Sequence, residues 1–95
     1  MQTKERKSFR DAGYESLANA IVEQAVNDYR IAARIVATTN PESSDPSEAY
    51  KHARAQRAIC EIEAFINSKW FGTLTAIDGA VLLARLRAGA ARMKA

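Results

Sequence analysis

The stretch Glu61–Arg87, EIEAFINSKWFGTLTAIDGAVLLARLR, most restricts what this chain can fold into. It holds the only Trp, two of the three Phe and two of the four Gly. Its apolar residues recur at helical spacing, with one interruption at Ser68–Lys69–Trp70–Phe71–Gly72 that reads as a corner between two helices. A second apolar-periodic run, NAIVEQAVNDYRIAARIV, supplies a helix to pack against it. No segment alternates in the manner of a strand bounded by turn residues, and Ala, Leu, Ile, Arg, Glu and Lys dominate over Gly and Pro, a helical bias. The expected fold is therefore all-α: a small helical bundle of three main helices plus a short helical turn, with short connections that favour an up-down order. Area scaling for a 10.4 kDa chain buries only roughly 64% of the unfolded surface. So modest a core favours further burial as a homo-oligomer.

The boundaries follow from local signals. Residues 1–13, MQTKERKSFRDAG, read as a basic flexible arm, and residues 14–95 as a single helical domain with helices at about 14–37, 46–67 and 76–93 and a short turn at 68–74. Ser16 is a candidate N-cap for the first helix, whose apolar half carries Leu17, Ala18, Ile21, Val22, Ala25, Val26, Tyr29, Ala32, Ala33, Ile35 and Val36. Thr38–Asp45 is a loop by composition. Asp45, Pro46 and Glu48 then form a start signal: a capping side chain, a Pro at the first helical position and a capping-box Glu. Ala55, Ile59, Ile62 and Ile66, flanked by Ala58 and Phe65, make the core stripe of the second helix. A small-sided line, Ala49, Ala53, Cys60 and Ala64, offers close approach to another helix. In the last helix, capped by Thr75 or Asp78, the core side is Leu82, Leu83, Leu86, Ala90 and Met93.

Three residues break their surroundings. Asp28 falls within the apolar arc of the first helix, where a carboxylate must be paired, hydrogen-bonded or at a rim. His52 lacks a second ligand at metal spacing and reads as a partly exposed helix histidine. Trp70 reads first as a hydrophobic plug of the corner and second as an aromatic platform for a ligand. The lone Cys60 cannot form an internal disulfide; set among Ile59 and Ile62 it reads as a small buried thiol suited to a reducing cytoplasm. The basic start lacks a following apolar region of signal-peptide type, and no apolar run approaches the ~20 residues that span a bilayer, so a cytoplasmic protein without membrane contact is expected.

Two stretches, NAIVEQAVNDYRIA and Glu61–Arg87, resemble a family of small uncharacterised proteins of phages and mobile elements in Gram-positive bacteria. Its pattern is an AIVxQAVxDYR helix, a variable loop, a helix ending in SxWF, an LTx(I/L)DG segment and an LxRLR helix. The matching positions are Asp28–Tyr29–Arg30, Trp70–Phe71, Asp78–Gly79 and Arg85–Leu86–Arg87, and the resemblance covers about two fifths of the chain. Gly72 stands where the pattern has a larger residue, which loosens the corner, and the tail AGAARMKA lies outside it. The resemblance implies a phage-type context inside a bacterial host cell and no particular mechanism.

The chemistry legible in the residues is that of binding. No nucleotide-binding loop, zinc spacing, Ser–His–Asp set or redox CxxC pair is present, and Glu61 and Glu63 point different ways on their helix, so the reading is non-enzymatic, with no cofactor. Charge is uneven: residues 69–95 carry net +4 and residues 41–68 net −2. A basic end attracts phosphates or an acidic protein surface. The first expectation is sequestration of a small anionic, nucleotide-like ligand, with Lys69, Arg85 and Arg92 for phosphates and Trp70, Phe71 or Tyr29 for a base. Asp28 joins this candidate set as a polar group at the rim. A counter-defence use fits the context. The alternative is docking on a host protein as inhibitor or adaptor, through the small-sided line or the Trp–Phe corner. Non-specific nucleic-acid binding is third, since Val81–Ala95 holds no Asn, Gln, Ser or Thr to read base edges.

Overall fold

In a computed structural model, which describes the backbone of residues 2–94 and the side chains of residues 16–93, the chain is all-helical. The order is α1 (Gln2–Thr38), α2 (Pro46–Ile66), α3 (Lys69–Leu74) and α4 (Gly79–Lys94). The helix start expected near residues 14–16 is not one, because α1 is continuous from Gln2. Residues 2–12 contain neither Pro nor Gly, and a lone interior Gly13 costs a helix only about 0.5–1 kcal/mol.

α1 is the element on which the others pack. It lies along α2 and, over a shorter length, along α4, while α2 and α4 meet more briefly and α3 closes the end of α2. One core cluster gathers Val22 and Tyr29 of α1, Ile66 of α2, Phe71 of α3 and Leu83 and Leu86 of α4. A second, of Ala32, Val36 and Ala55, joins only α1 and α2. The expected stripes of α2 and α4 therefore do face inward, with Ile59, Ile62, Phe65, Leu82 and Ala90 packed against the first cluster, except that Met93 at the end of α4 is exposed. Leu17 is a correction: it is 60% exposed, because neither α2 nor α4 covers its side of α1.

The corner is plugged by Phe71 and not by Trp70. Phe71 is 1% exposed and meets Phe65 edge to face at 5.5 Å, whereas Trp70 is 58% exposed. Adjacent residues of a helix point about 100° apart, so only one of the pair can enter the core. Ser68 sets which: its Oγ accepts from the Phe71 N–H at 3.2 Å and donates to the Phe65 carbonyl at 2.6 Å, starting α3 in the register that turns Phe71 inward.

The caps are partly as expected. Asp45 caps α2, accepting from the Ser47 N–H at 2.9 Å, with Pro46 at the first position. Glu48 does not complete the box; its Oε2 accepts from the Asn40 N–H at 2.8 Å and ties the loop down. At α4 the cap is Asp78, which accepts from Ala80 and Val81 N–H at 2.9 and 3.3 Å, so the helix begins at Gly79. Two further corrections concern burial. His52 is buried under the loop, with Nδ1 2.9 Å from Thr39 Oγ1. The same hydroxyl lies 2.6 Å from the Ile35 carbonyl, to which it donates, and so ties the ring to the end of α1. Cys60 is exposed, as are Ala53 and Ala64 of the small-sided line, because that face of α2 has no neighbour among the described residues.

Candidate anion-binding groove

The groove between α1 and α4 arises from small residues where the helices face each other. α1 presents Val26, Tyr29, Arg30 and Ala33 at spacings of three and four, and α4 presents Leu82, Arg85, Leu86, Gly89, Arg92 and Met93 in the same rhythm. Beside Leu82 and Leu86, the small residues Ala33, Ala88, Gly89 and Ala90 line a hollow of about 560 Å³. A methyl group added at Gly89 would meet nothing within 4 Å. This volume lies within the range of small-molecule sites, roughly 300–1,000 Å³.

Three arginines surround it: Arg30 from α1, and Arg85 and Arg92 two turns apart on α4. No carboxylate lines the hollow, and among the described residues the one ion pair is Arg87–Glu63. Arg30, Arg85 and Arg92 therefore keep their five donors each for solvent or a ligand. The floor is apolar, made by Val26, Leu82, Leu86 and Met93.

Behind the floor lies a polar lock. Tyr29 is 3% exposed, and its hydroxyl donates to Glu63 Oε2 at 2.9 Å. Arg87 grips the same carboxylate with both prongs, Nε to Oε2 and Nη2 to Oε1, each at 3.2 Å. Burial first, then the Glu63 hydrogen bond, pushes the Tyr29 phenol from 10.0 up to about 12. The Arg87 hydrogen bonds hold the Glu63 carboxyl below its usual range, and the carboxylate in turn raises Arg87. Arg87 thus offsets the charge of Glu63 and leaves the field of the three groove arginines uncompensated.

Of the six expected site residues, the fold brings Tyr29, Arg85 and Arg92 together and separates the others. Lys69 and Trp70 sit exposed on α3 and do not line the groove. Asp28 is on another side of α1, exposed and accepting from Gln24 Nε2 at 2.9 Å, so its place in the apolar arc is a wet rim. Phe71 is consumed by the core. Arg30 is the residue the sequence reading missed; it lies on the polar half of α1, and only the seating of α4 beside it makes it part of a site. Among the described residues no group of three or more His, Cys, Asp or Glu is placed to hold a metal ion, and no helix is long and apolar enough to cross a membrane. No protein-family profile, curated protein or solved structure matches the chain.

Proposed function

We propose that this protein binds and sequesters a small phosphate-bearing, nucleotide-like ligand in the α1–α4 groove, without catalysis, as an accessory protein of phage type in the bacterial cytoplasm. The observation that carries the reading is the carboxylate-free hollow ringed by Arg30, Arg85 and Arg92. Guanidinium groups bind phosphate bidentately and stack on planar rings, so the arginines serve both ends of a nucleotide while Val26, Leu86 and Met93 cover its apolar surface. Trp70 has no part in this version.

Titration of the full chain with ATP and with pyrophosphate, followed by calorimetry at low salt, tests it. Arg85→Ala, Arg92→Ala and Arg30→Ala should each weaken ATP binding about tenfold or more, the worth of one charge-assisted contact of roughly 1.4 kcal/mol or above. Lys69→Ala should change nothing. Equal affinity in all four variants would remove the groove from the site. A bound species in the purified protein that nuclease digests would assign the groove to nucleic acid instead.

A second reading has one observation of its own. Trp70 is a large apolar side chain left in solvent on α3, with Ile77 also exposed shortly beyond it, and exposed aromatics of this kind anchor protein partners. If docking on a host protein is the function, Trp70→Ala abolishes capture of that protein while Arg85→Ala leaves it intact.

Self-association is part of the proposal. The chain exposes 7233 Å², where a compact 10.4 kDa protein exposes about 5,400 Å². Some of the excess is the length of α1, which outruns both neighbours.

A further inference from the structure

Tyr50, Arg54, Ala58, Glu61 and Phe65 succeed one another along α2 at steps of four, four, three and four residues, and so form one stripe. It runs along the edge of the core side: Tyr50, Arg54 and Glu61 are exposed, while Ala58 and Phe65 are half-buried, each with one side against a core cluster and the other outward. Between this stripe and α1 run two shallow apolar hollows of about 400 Å³ each, one beside Arg54 and Ala58 and the other beside Glu61 and Phe65. Tyr50 is 65% exposed, the most exposed of the large apolar side chains among the described residues.

We infer that this stripe is the interface with a second copy of the chain, packed antiparallel across a two-fold axis that passes between residues 57 and 58. The stripe is complementary to itself when turned end for end about that point. Arg54 then faces Glu61 of the second copy, Tyr50 faces Phe65 of the second copy, and each contact occurs twice, as an isologous interface requires. Ala58 falls at the crossing, where a small side chain lets helix axes approach. Arg57, opposite Ala58 of the second copy, stands within one turn of the same Glu61.

Charge complementarity argues for this occupant over an unrelated protein. Arg54 and Glu61 lie seven residues apart, about 10 Å along the helix, too far to pair within one chain, and neither forms an ion pair among the described residues. Antiparallel pairing satisfies both at once. It also covers Tyr50 and closes the mouths of the two apolar hollows. The exposed area of 7233 Å² exceeds the compact value of about 5,400 Å² by more than the ~800 Å² per partner that a standard interface buries, so the surface for one is available even with the length of α1 set aside. The inference rests on the self-association proposed above and names its face.

Sedimentation equilibrium of the full chain, from micromolar to hundreds of micromolar at low salt, provides the test. The wild type should be dimeric, with the dissociation constant rising as salt screens the four charges. Arg54→Glu and Glu61→Arg should each weaken the dimer at least tenfold, with helix content by circular dichroism unchanged, since both side chains are exposed. An equimolar mixture of the two variants should dimerise again, because every cross-pair then opposes unlike charges. A wild type that stays monomeric overturns self-association altogether. A wild-type dimer indifferent to both variants overturns this face alone, and a mixture that fails to recover overturns the antiparallel register.

Discussion

Gly79 is where a single methyl group matters most. A Cβ there would sit 2.6 Å from the Ile66 carbonyl oxygen, a backbone atom that cannot move aside without shifting the end of α2. Gly79→Ala should therefore cost about 1–3 kcal/mol by overpacking. The matched change Gly89→Ala, which meets nothing within 4 Å, should gain about 0.5–1 kcal/mol from helix propensity and unfolded-state entropy; urea denaturation of the pair checks both signs. Tyr29→Phe removes a buried hydroxyl bonded to a carboxylate and should cost about 1–2 kcal/mol, at the lower end because Glu63 keeps Arg87. The phenol is held protonated by the fold, with its pKa raised from 10.0 to about 12. Its stabilisation is thus complete below pH 10 and is lost as pH rises through about 12, which phenolate absorbance and denaturation at alkaline pH will follow together. Glu63 has the opposite sign: its lowered pKa gives stability that is present above the ordinary carboxylate range and fades as pH falls through the lowered value. Asp28 is exposed, so Asp28→Ala should change stability by under about 0.5 kcal/mol. The position of Asp28 on a helical wheel put it among apolar residues, but a wheel does not say how wide a face the neighbours cover.

Caps are the part of each helix that local sequence specifies best, because donor and acceptor are only two or three residues apart. Asp45, Ser68 and Asp78 each perform the capping their positions announce. Asp45→Ala should cost about 1 kcal/mol, readable as a lower melting temperature. Glu48 fails the same local logic, since the loop brings the Asn40 N–H within 2.8 Å and a longer-range partner takes the carboxylate. His52 was misjudged for a related reason: its burial comes from Thr39 and the end of α1, not from anything on α2. Between α1 and α4, the groove is lined by the small residues Ala33, Ala88, Gly89 and Ala90. Gly89→Leu should fill it, abolishing ATP binding while leaving the helix content unchanged; retained binding would place the ligand elsewhere.

At the scale of the whole molecule the chain is long for its mass, with a radius of gyration of 17.5 Å against about 12 Å for a compact domain of this length. α2 and α4 each shield part of α1, and among the described residues no third helix lines the two hollows that run between α1 and α2. If a second copy does so, the melting temperature should rise with protein concentration, and Arg54→Glu should make it independent of concentration. The all-helical fold, the main helices and most of the inward stripes are legible in the residues alone, because they rest on propensity and on periodicity within one segment. The site is legible only in its parts. Tyr29, Arg85 and Arg92 carry their chemistry in their side chains, but that Arg30 joins them and that Lys69 and Trp70 do not follow from which face of one helix meets which face of another. Those contacts join residues tens of positions apart. They are settled by the packing of large and small side chains across the interface, a quantity that no single helix contains.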